Sequence, residues 1–219
     1  MNFLINNLSA GKSKSELLKL IAIITMAIDH IGYAGFPDQP AFRIIGRLSL
    51  PIFCYLMVQG YLHTSNVKKY AFRLFVFAVI SQIPYIYYFQ INQLNIFMTL
   101  VLGLVVLYAY DNKLWILLFS AIMTSVVVPM DYGIYAIFVM LLFYAFQKGL
   151  MKPLAFYLWF GLGALGACFL LLFPEQIFAV FSPLIIYATP NMNYKIKLPK
   201  YFYYAFYPVH LIILSFIFR

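Results

Sequence analysis

Long apolar runs joined by short polar connections make up almost the whole chain. A membrane-spanning helix takes about 20 predominantly apolar residues. The runs that meet or approach this length are 17–36, 42–63, 70–89, 94–110, 114–130, 132–147, 153–173, 176–189 and 201–218. The run at 176–189 is short and contains Pro183, so a re-entrant or tilted segment is an alternative to a full span there. The pattern predicts an all-α, polytopic transmembrane helical bundle of about nine spans.

Basic residues fall on alternate connections, as the positive-inside rule requires of correctly numbered spans. One side carries most of them: Lys12, Lys14, Lys19, Lys68, Lys69, Arg73, Lys113, Lys148, Lys152, Lys195, Lys197 and Lys200. The opposite connections and end hold Arg43 and Arg219 as bases, beside Asp38, Asp131 and Glu175. This alternation places the N-terminus in the cytoplasm and the C-terminus outside.

The composition agrees with a protein embedded in lipid. Hydrophobic residues make up 65% of the chain and charged residues 10%, whereas about a quarter of an ordinary soluble domain is charged. The net charge of +9 reflects the lysine asymmetry and attraction to anionic headgroups, and no soluble domain is predicted that would bind nucleic acid. We expect a cytoplasmic segment at 1–16, without a cleavable signal peptide, and one membrane domain at 17–219 without internal repeats.

The stretch TMAIDHIGYAGFP, residues 25–37, places an aspartate and a histidine inside the first predicted span. An aspartate at the centre of a span costs roughly 2.5 to 3.5 kcal/mol, which a chain tolerates when the carboxylate is paired or faces water. Arg47 in the second span lies at a similar predicted depth and is the expected partner of Asp29, with Arg43 one turn above it. Such a pair is equally consistent with an architectural clamp and with a functional site.

His210 lies about halfway along the last predicted span. Pro208, two residues earlier, removes a backbone donor and loosens the helix there. Together with Asp29 and His30, His210 predicts a polar chamber within the membrane. The outer rim of this chamber is expected to carry further polar residues: Asn95, Thr99, Asp131 and Tyr132. Each of these alone is more often a helix cap or a turn residue.

A third histidine, His63, ends the second span near the cytoplasmic interface. Its position alone slightly favours a histidine without a functional role. Cys54 and Cys168 lie in apolar runs and are expected to be small buried hydrophobic residues. The chain contains none of the common soluble catalytic signatures. No two histidines have the i, i+4 spacing of a helical metal site, so no metal is expected.

Six strings, taken in order along the chain, resemble the TraX family of polytopic membrane proteins: LKLIAIITMAIDHIG, RIIGRLSLPIF, HTSNVKKYAFRL, NIFMTL, MDYGIYA and YFYYAFYPVHL. The resemblance runs over about residues 17–211, nearly the whole chain. Asp29 and His30 match the D-H-x-G element of that family. Arg47 matches its G-R-x-x-x-P element, and His210 matches its Y-P-x-H-L element.

The resemblance implies a membrane acyltransferase in the bacterial inner membrane with acetyl-CoA as the acyl donor. The best-described activity of the family is acetylation of the N-terminus of conjugative pilin, so the acceptor would be a pilin or an envelope glycan. Gln59 and Gln82 stand where relatives are expected to have glutamate. Any acid or base role of those glutamates is therefore absent or moved in this chain.

Acyl transfer needs a base for the incoming amine or hydroxyl and a donor for the oxyanion. His30 is the expected base, and His210 would orient the donor carbonyl or take a second proton-transfer role. Asp29 and Arg47 would hold the first two spans in register. The expected substrate-binding residues are His63, Lys68, Lys69, Arg73, Asn95, Thr99, Asp131 and Tyr132.

The cluster of Lys68, Lys69 and Arg73 would meet the phosphates of acetyl-CoA, although ordinary topology signalling explains these cations at least as well. Two other classes of function stay open. One is a proton-coupled transporter, because ionisable residues within a membrane often line a transport path. The other is a non-catalytic scaffold for pilus or envelope assembly.

Overall fold

The computed structural model describes residues 11–171, 173–191, 199 and 201–218, and these residues are mostly helical. We number the helices in chain order: α1 Lys12–Gly35, α2 Pro40–Gly46, α3 Ser49–His63, α4 Val67–Phe89, α5 Ile96–Asp111, α6 Trp115–Val127, α7 Gly133–Gln147, α8 Pro153–Leu170, a 3-10 helix Pro174–Phe181, α9 Ser182–Ala188 and α10 Phe202–Phe218. No strand occurs in the described residues, where an isolated β-bridge joins Leu94 and Met130. The prediction of an all-α fold is confirmed.

Each predicted apolar run contains helix, but the run at 42–63 is divided into α2 and α3. Arg47 and Leu48 form the turn between them. Pro51 explains this break, because proline has no N–H to donate to the carbonyl four residues earlier, that of Arg47, and its ring clashes with that carbonyl. The break places Arg47 at the end of α2, next to α1.

Other predicted boundaries also shift, again mainly at prolines. The helix in the run at 114–130 ends at Val127, shortly before Pro129. The run at 176–189 consists of the 3-10 helix followed by α9, whose first turn contains Pro183. At the other end of the chain, α1 begins at Lys12, so the helix extends into the segment predicted as separate.

Four helical segments are long and apolar enough to cross a membrane, by length and composition: Ser13–Gly35, Pro40–His63, Val67–Phe89 and Pro153–Leu170. Five shorter apolar helices occupy the other runs. The 16 residues of α5, for example, extend about 24 Å, against about 30 Å for a typical hydrocarbon core. The chain is a helical membrane protein, and the count of nine spans stays a prediction.

Several contacts join helix ends that are far apart in the sequence. In each case the alternation of lysines assigns both helix ends to the same side of the membrane. At the predicted cytoplasmic end, the Tyr203 hydroxyl donates to the Glu16 carboxylate (2.8 Å). At the predicted outer end, the Asp131 N–H donates to the Leu94 carbonyl (2.8 Å). Polar residues predicted for the outer rim are therefore gathered at one end of the bundle.

α3 lies at the centre of the bundle and α4 and α8 at its periphery. Residues 49–52 of α3 are all buried, as are 57–59, which is typical of a helix surrounded by other helices. In contrast, Ile83 on α4 is 79% exposed and Leu154 on α8 is 73% exposed. Soluble proteins rarely expose such a surface, whereas lipid tails solvate it.

The orientation can be tested with reporter fusions in bacterial cells. A reporter fused after Arg219 is expected to behave as external and one inserted at Lys68 as cytoplasmic, because lysines collect on the cytoplasmic side. Alkaline phosphatase and fluorescent-protein activities measure the two locations. Cytoplasmic behaviour of the Arg219 fusion would contradict the count of nine spans, and the segment around Pro183 would be the first suspect.

Candidate functional site

Asp29 lies between two arginines where α1 meets α2. Its Oδ1 is 2.6 Å from Nη2 of Arg47, and its Oδ2 is 2.8 Å from Nη1 of Arg43. The predicted pairing of Asp29 with Arg47 is confirmed, and Arg43 is a second partner one helical turn from Arg47. Each carboxylate oxygen thus has its own guanidinium, which offsets the cost of burying the charge. We call these three residues the ion cluster.

Arg47 links the ion cluster to other parts of the fold. Its side chain is 2% exposed, so its remaining donors must find protein partners. Those donors reach the Tyr132 hydroxyl (2.9 Å), the Gln176 side-chain oxygen (3.4 Å) and the Arg43 carbonyl (3.2 Å). Because these partners lie before α7, in the 3-10 helix and on α2, Arg47 fixes three elements against α1.

Two glycines allow α1 and α2 to approach closely enough for this contact. A Cβ at Gly46 would lie 2.1 Å from Oδ1 of Asp29 and 2.2 Å from its Cβ. A Cβ at Gly32 would lie 2.2 Å from the Cβ of Phe42. Small residues at helix contacts bring backbones together within membranes, and here they bring both arginines within reach of the carboxylate.

His30 and His210 form a hydrogen-bonded pair where α1 meets α10. Nδ1 of His30 is 2.7 Å from Nε2 of His210, and the two rings are nearly parallel, with an interplanar angle of 9°. Nδ1 of His210 is 2.8 Å from the carbonyl oxygen of Phe206, which only accepts, so this nitrogen carries the proton of a neutral ring. Nε2 of His210 must then accept from Nδ1 of His30. The lone pair of His30 is therefore on its Nε2.

Aromatic side chains surround the histidine pair. The Tyr88 hydroxyl donates to the His30 carbonyl (2.5 Å), and the Phe89 ring meets the His30 ring edge-on, with centroids 5.2 Å apart. The Phe206 ring stacks on His210, with centroids 4.9 Å apart. Both histidine side chains are buried. This packing fixes both rings and limits the access of bulk water.

A small cavity, here called the histidine cavity, lies beside the ion cluster and His30. Its volume is about 40 Å³, and four predicted site residues line it: Asp29, His30, Asp131 and Tyr132. A water molecule needs roughly 10 to 15 Å³ of such space. The cavity therefore has room for water or a small reacting group, but not for a whole coenzyme.

The connection between α6 and α7 brings Asp131 and Tyr132 to this cavity. The Thr99 hydroxyl donates to the Asp131 carbonyl (2.8 Å) and so holds the connection against α5. Tyr132 has a φ of 58°, in the left-handed region that bulky residues rarely adopt, at a cost of roughly 1 to 3 kcal/mol. Since its oxygen accepts from Arg47, its own proton is available for another acceptor.

Asn95 and Gln82 form an amide network that does not line the histidine cavity. Asn95 is the N-cap of α5, and its amide nitrogen donates to the Gln82 side-chain oxygen (2.8 Å). Gln82 in turn donates to the Gln93 carbonyl (2.8 Å), a bond that an ionised glutamate could not make. Glutamine at this position is therefore explained by local hydrogen bonding.

The predicted residues around His63 lie at the other end of the bundle. His63, Lys68 and Lys69 are exposed, and none of them lines the histidine cavity. Arg73, further along α4, lines a separate cavity. Gln59 donates to the Gln147 side-chain oxygen (2.8 Å) on α7 and also lies outside the histidine cavity.

Two residues of the ion-cluster network go beyond the predicted site residues. Arg43 was expected only as a neighbour of Arg47, although its spacing of four residues was a signal for a shared helix face. Nothing in the sequence predicted the contact of Gln176 with Arg47, because the sequence does not show which residues of this short, interrupted segment face α2. Within the described residues, no group of three or more His, Cys, Asp or Glu side chains is placed to hold a metal ion.

The exposed apolar helices, the ion cluster and the histidine pair define a helical membrane protein with a polar site inside its bundle. More specifically, the chain belongs to the TraX family, since the family described as "TraX protein" matches residues 14–218. The resemblance noted in the sequence is thereby confirmed.

Two proteins from named bacteria are similar to this chain. "Probable fimbrial assembly protein FimC, serogroup H1" of Dichelobacter nodosus is 30% identical over an alignment of 236 residues. The alignment covers 90% of this chain and 92% of that protein. "Uncharacterized protein RP591" of Rickettsia prowazekii (strain Madrid E) is 36% identical over 100 residues, which cover 45% of this chain and 38% of that protein. No solved structure matches the chain.

A double-mutant cycle tests the ion cluster. Asp29→Ala leaves the buried Arg47 guanidinium without its carboxylate and is expected to lower the free energy of unfolding by roughly 3 to 5 kcal/mol. Removing Asp29 and Arg47 together should cost less than the sum of the single changes. Unfolding in detergent, followed by circular dichroism, measures all three variants.

The matched control is Asp38→Ala, which removes an exposed carboxylate from the connection between α1 and α2. It should change the free energy of unfolding by less than about 0.5 kcal/mol. Additive effects of the Asp29 and Arg47 changes would show that the two side chains do not interact.

Proposed function

We propose that this protein is an acyltransferase of the bacterial inner membrane. It would transfer acetyl from acetyl-CoA to an amine or hydroxyl of an acceptor outside the cytoplasm. Membership of the TraX family supports an acyl-transfer reaction, and the relative named as a fimbrial assembly protein favours a pilus subunit over an envelope glycan as the acceptor.

The observation that carries this proposal is the hydrogen-bonded pair of His30 and His210. A base for acyl transfer needs a basic lone pair, a fixed orientation and a partner that stabilises its protonated form. Nδ1 of His30 is held by Nε2 of His210 at 2.7 Å, which leaves Nε2 of His30 as the basic atom. His30 also lines the histidine cavity, where a reacting group can be placed.

In the proposed reaction, Nε2 of His30 removes the proton from the acceptor nitrogen or oxygen as that atom attacks the acetyl carbonyl carbon. A new N–C or O–C bond forms, and the carbonyl oxygen becomes an oxyanion. Collapse of this intermediate breaks the C–S bond of the thioester. The proton on Nε2 then passes to the departing sulfur, which gives the acetylated acceptor and the coenzyme A thiol. While His30 is doubly protonated, Nδ1–H continues to donate to His210.

Tyr132 is suited to stabilise the oxyanion. Its hydroxyl accepts from the Arg47 guanidinium at 2.9 Å, and a hydroxyl polarised in this way is a stronger donor on its other side. The strained φ of 58° points to the same role, because strain of this kind is common at sites that hold a group in one orientation. An oxyanion-hole donor typically contributes about 10² to 10³ in rate.

His30→Gln tests the base. Glutamine keeps the size and hydrogen-bonding capacity of the side chain but is not basic near neutral pH. Release of coenzyme A thiol by the purified protein, with a peptide carrying a pilin N-terminus as the acceptor, should fall by roughly 10² to 10⁴. His63→Gln is the matched control and should lower turnover much less, since His63 is exposed and does not line the histidine cavity.

His210 is proposed to position His30 rather than to react itself, and two substitutions separate these roles. His210→Gln keeps an acceptor for Nδ1–H of His30, whereas His210→Leu leaves that buried donor unmet at a cost of about 1 to 3 kcal/mol. Turnover of His210→Leu should therefore be roughly 5- to 150-fold below that of His210→Gln. Equal losses in both variants would assign His210 a direct chemical role.

A non-catalytic scaffold for fimbrial assembly is the second candidate, favoured by the name of the Dichelobacter nodosus relative. Under this hypothesis, the chemistry of His30 is not needed for assembly. Normal pilus assembly in cells that produce the His30→Gln variant, with the acetylation state of the pilin unchanged from that in wild-type cells, would support the scaffold over the acyltransferase.

A further inference from the structure

A second cavity opens at the predicted cytoplasmic end of the bundle, and we call it the basal cavity. Its volume is about 290 Å³, at the lower end of the range of about 300 to 1,000 Å³ for small-molecule sites. One face of α3 forms part of its wall, through Phe53, Met57, Gly60 and Thr64. From Thr64 to Phe53 this face extends about 16 Å into the bundle.

Arg73 gives the basal cavity a positive charge. Its guanidinium lies over the rings of Tyr70 (5.5 Å) and Tyr204 (5.3 Å) and donates to the Tyr204 hydroxyl (3.2 Å). Among the described residues, no carboxylate lies within 4.0 Å of this guanidinium. An arginine held by aromatic rings and left without a carboxylate is well suited to bind a phosphate, because its planar fork matches phosphate oxygens.

Lys19 adds a second cation to the wall of the basal cavity. It is paired with Glu16 at 2.7 Å, so its charge is partly offset, and its ammonium lies 5.1 Å from the centre of the Tyr203 ring. Together with Arg73 it leaves an excess of positive charge. Tyr203 also lines the cavity and offers an aromatic face for a planar ring.

Phe53 lines both the basal cavity and the histidine cavity. On α5, Phe97 lines the basal cavity and the next residue, Ile96, lines the histidine cavity. The two cavities therefore adjoin at the Phe53 side chain. A barrier made by a side chain opens through a change of rotamer, without movement of the backbone.

We propose that the basal cavity binds acetyl-CoA as the acyl donor, with a phosphate on Arg73, and that Phe53 controls entry of the thioester to the histidine cavity. The inference rests on the proposed function. Leu56, Met57, Leu74 and Leu100 supply an apolar wall for the thin pantetheine arm. The volume suits this arm, so the nucleotide remains at the mouth of the cavity, where the tyrosine rings offer stacking surfaces.

Binding of coenzyme A to the full-length protein in phosphatidylcholine nanodiscs, measured by equilibrium dialysis, tests the donor site. Arg73→Gln should raise the Kd for coenzyme A about 10- to 100-fold, the range for the loss of a charge-assisted hydrogen bond. Pantetheine, which has neither phosphate nor nucleotide, should bind the wild type and Arg73→Gln equally. An unchanged Kd for coenzyme A in Arg73→Gln would overturn the proposal.

Lys152→Gln is the matched control, because it removes one exposed positive charge on the same predicted side without touching the cavity wall. Its Kd for coenzyme A should equal that of the wild type. Equal losses in Lys152→Gln and Arg73→Gln would mean that coenzyme A responds only to net charge, which would overturn the proposal. Displacement of coenzyme A when anionic phosphatidylglycerol replaces zwitterionic phosphatidylcholine would also overturn it, because the cavity would then bind an anionic lipid headgroup in preference to coenzyme A.

Phe53→Trp tests the passage between the cavities. The larger ring should leave the Kd for coenzyme A within about threefold of the wild type and lower acetyl transfer at least about tenfold, since it obstructs the thioester and not the phosphates. Unchanged transfer in Phe53→Trp would contradict this passage. If the wild type and Arg73→Gln both transferred acetyl with the same Michaelis constant for acetyl-CoA, the donor site would be overturned and the proposed function would stand. If coenzyme A bound in a way that depends on Arg73 but the wild type transferred no acetyl, the proposed function would be overturned and the coenzyme A site would stand.

Discussion

A carboxylate placed within an apolar bundle has to be neutralised by nearby cations, and much of this fold follows from how Asp29 meets that requirement. Two guanidinium groups contact its two oxygens, which is possible only because Gly46 brings α2 against α1. One of these groups, on Arg47, also holds the connection before α7 and the 3-10 helix. The ion cluster therefore sets the relative positions of elements that are far apart in the chain.

The same helix turn also carries the chemistry proposed for the site. Successive residues of an α-helix point about 100° apart, so Asp29 faces the arginines while His30 faces His210 on α10. Both side chains nevertheless line one small cavity. A change in the packing of α1 against α2 would thus alter the position of the His30 nitrogen that is proposed as the base, so one turn of helix couples the architecture to the proposed reaction.

The polar residues at the centre of the site were predictable because ionisable groups in apolar runs are costly and therefore conspicuous. This argument identified Asp29, His30 and His210, and matched depth identified the partner Arg47. Contacts between distant elements were harder to predict from the sequence, because the approach of Gln176 to Arg47 depends on how a short interrupted segment packs. Helix ends at prolines were readable in principle, yet apolar composition continues across the break before Pro51 and hides it.

The three members of the ion cluster come from the first two helices, which are joined by residues 36–39, and from the turn that follows α2. A nascent chain enters the bilayer from its N-terminus, so Asp29 arrives before every later helix. Arg43 and Arg47 follow immediately, so the Asp29 carboxylate can already be neutralised when these first segments leave the translocon. Helices made later contribute uncharged partners to Arg47, which means that the order of residues along the chain already suits the order of membrane insertion.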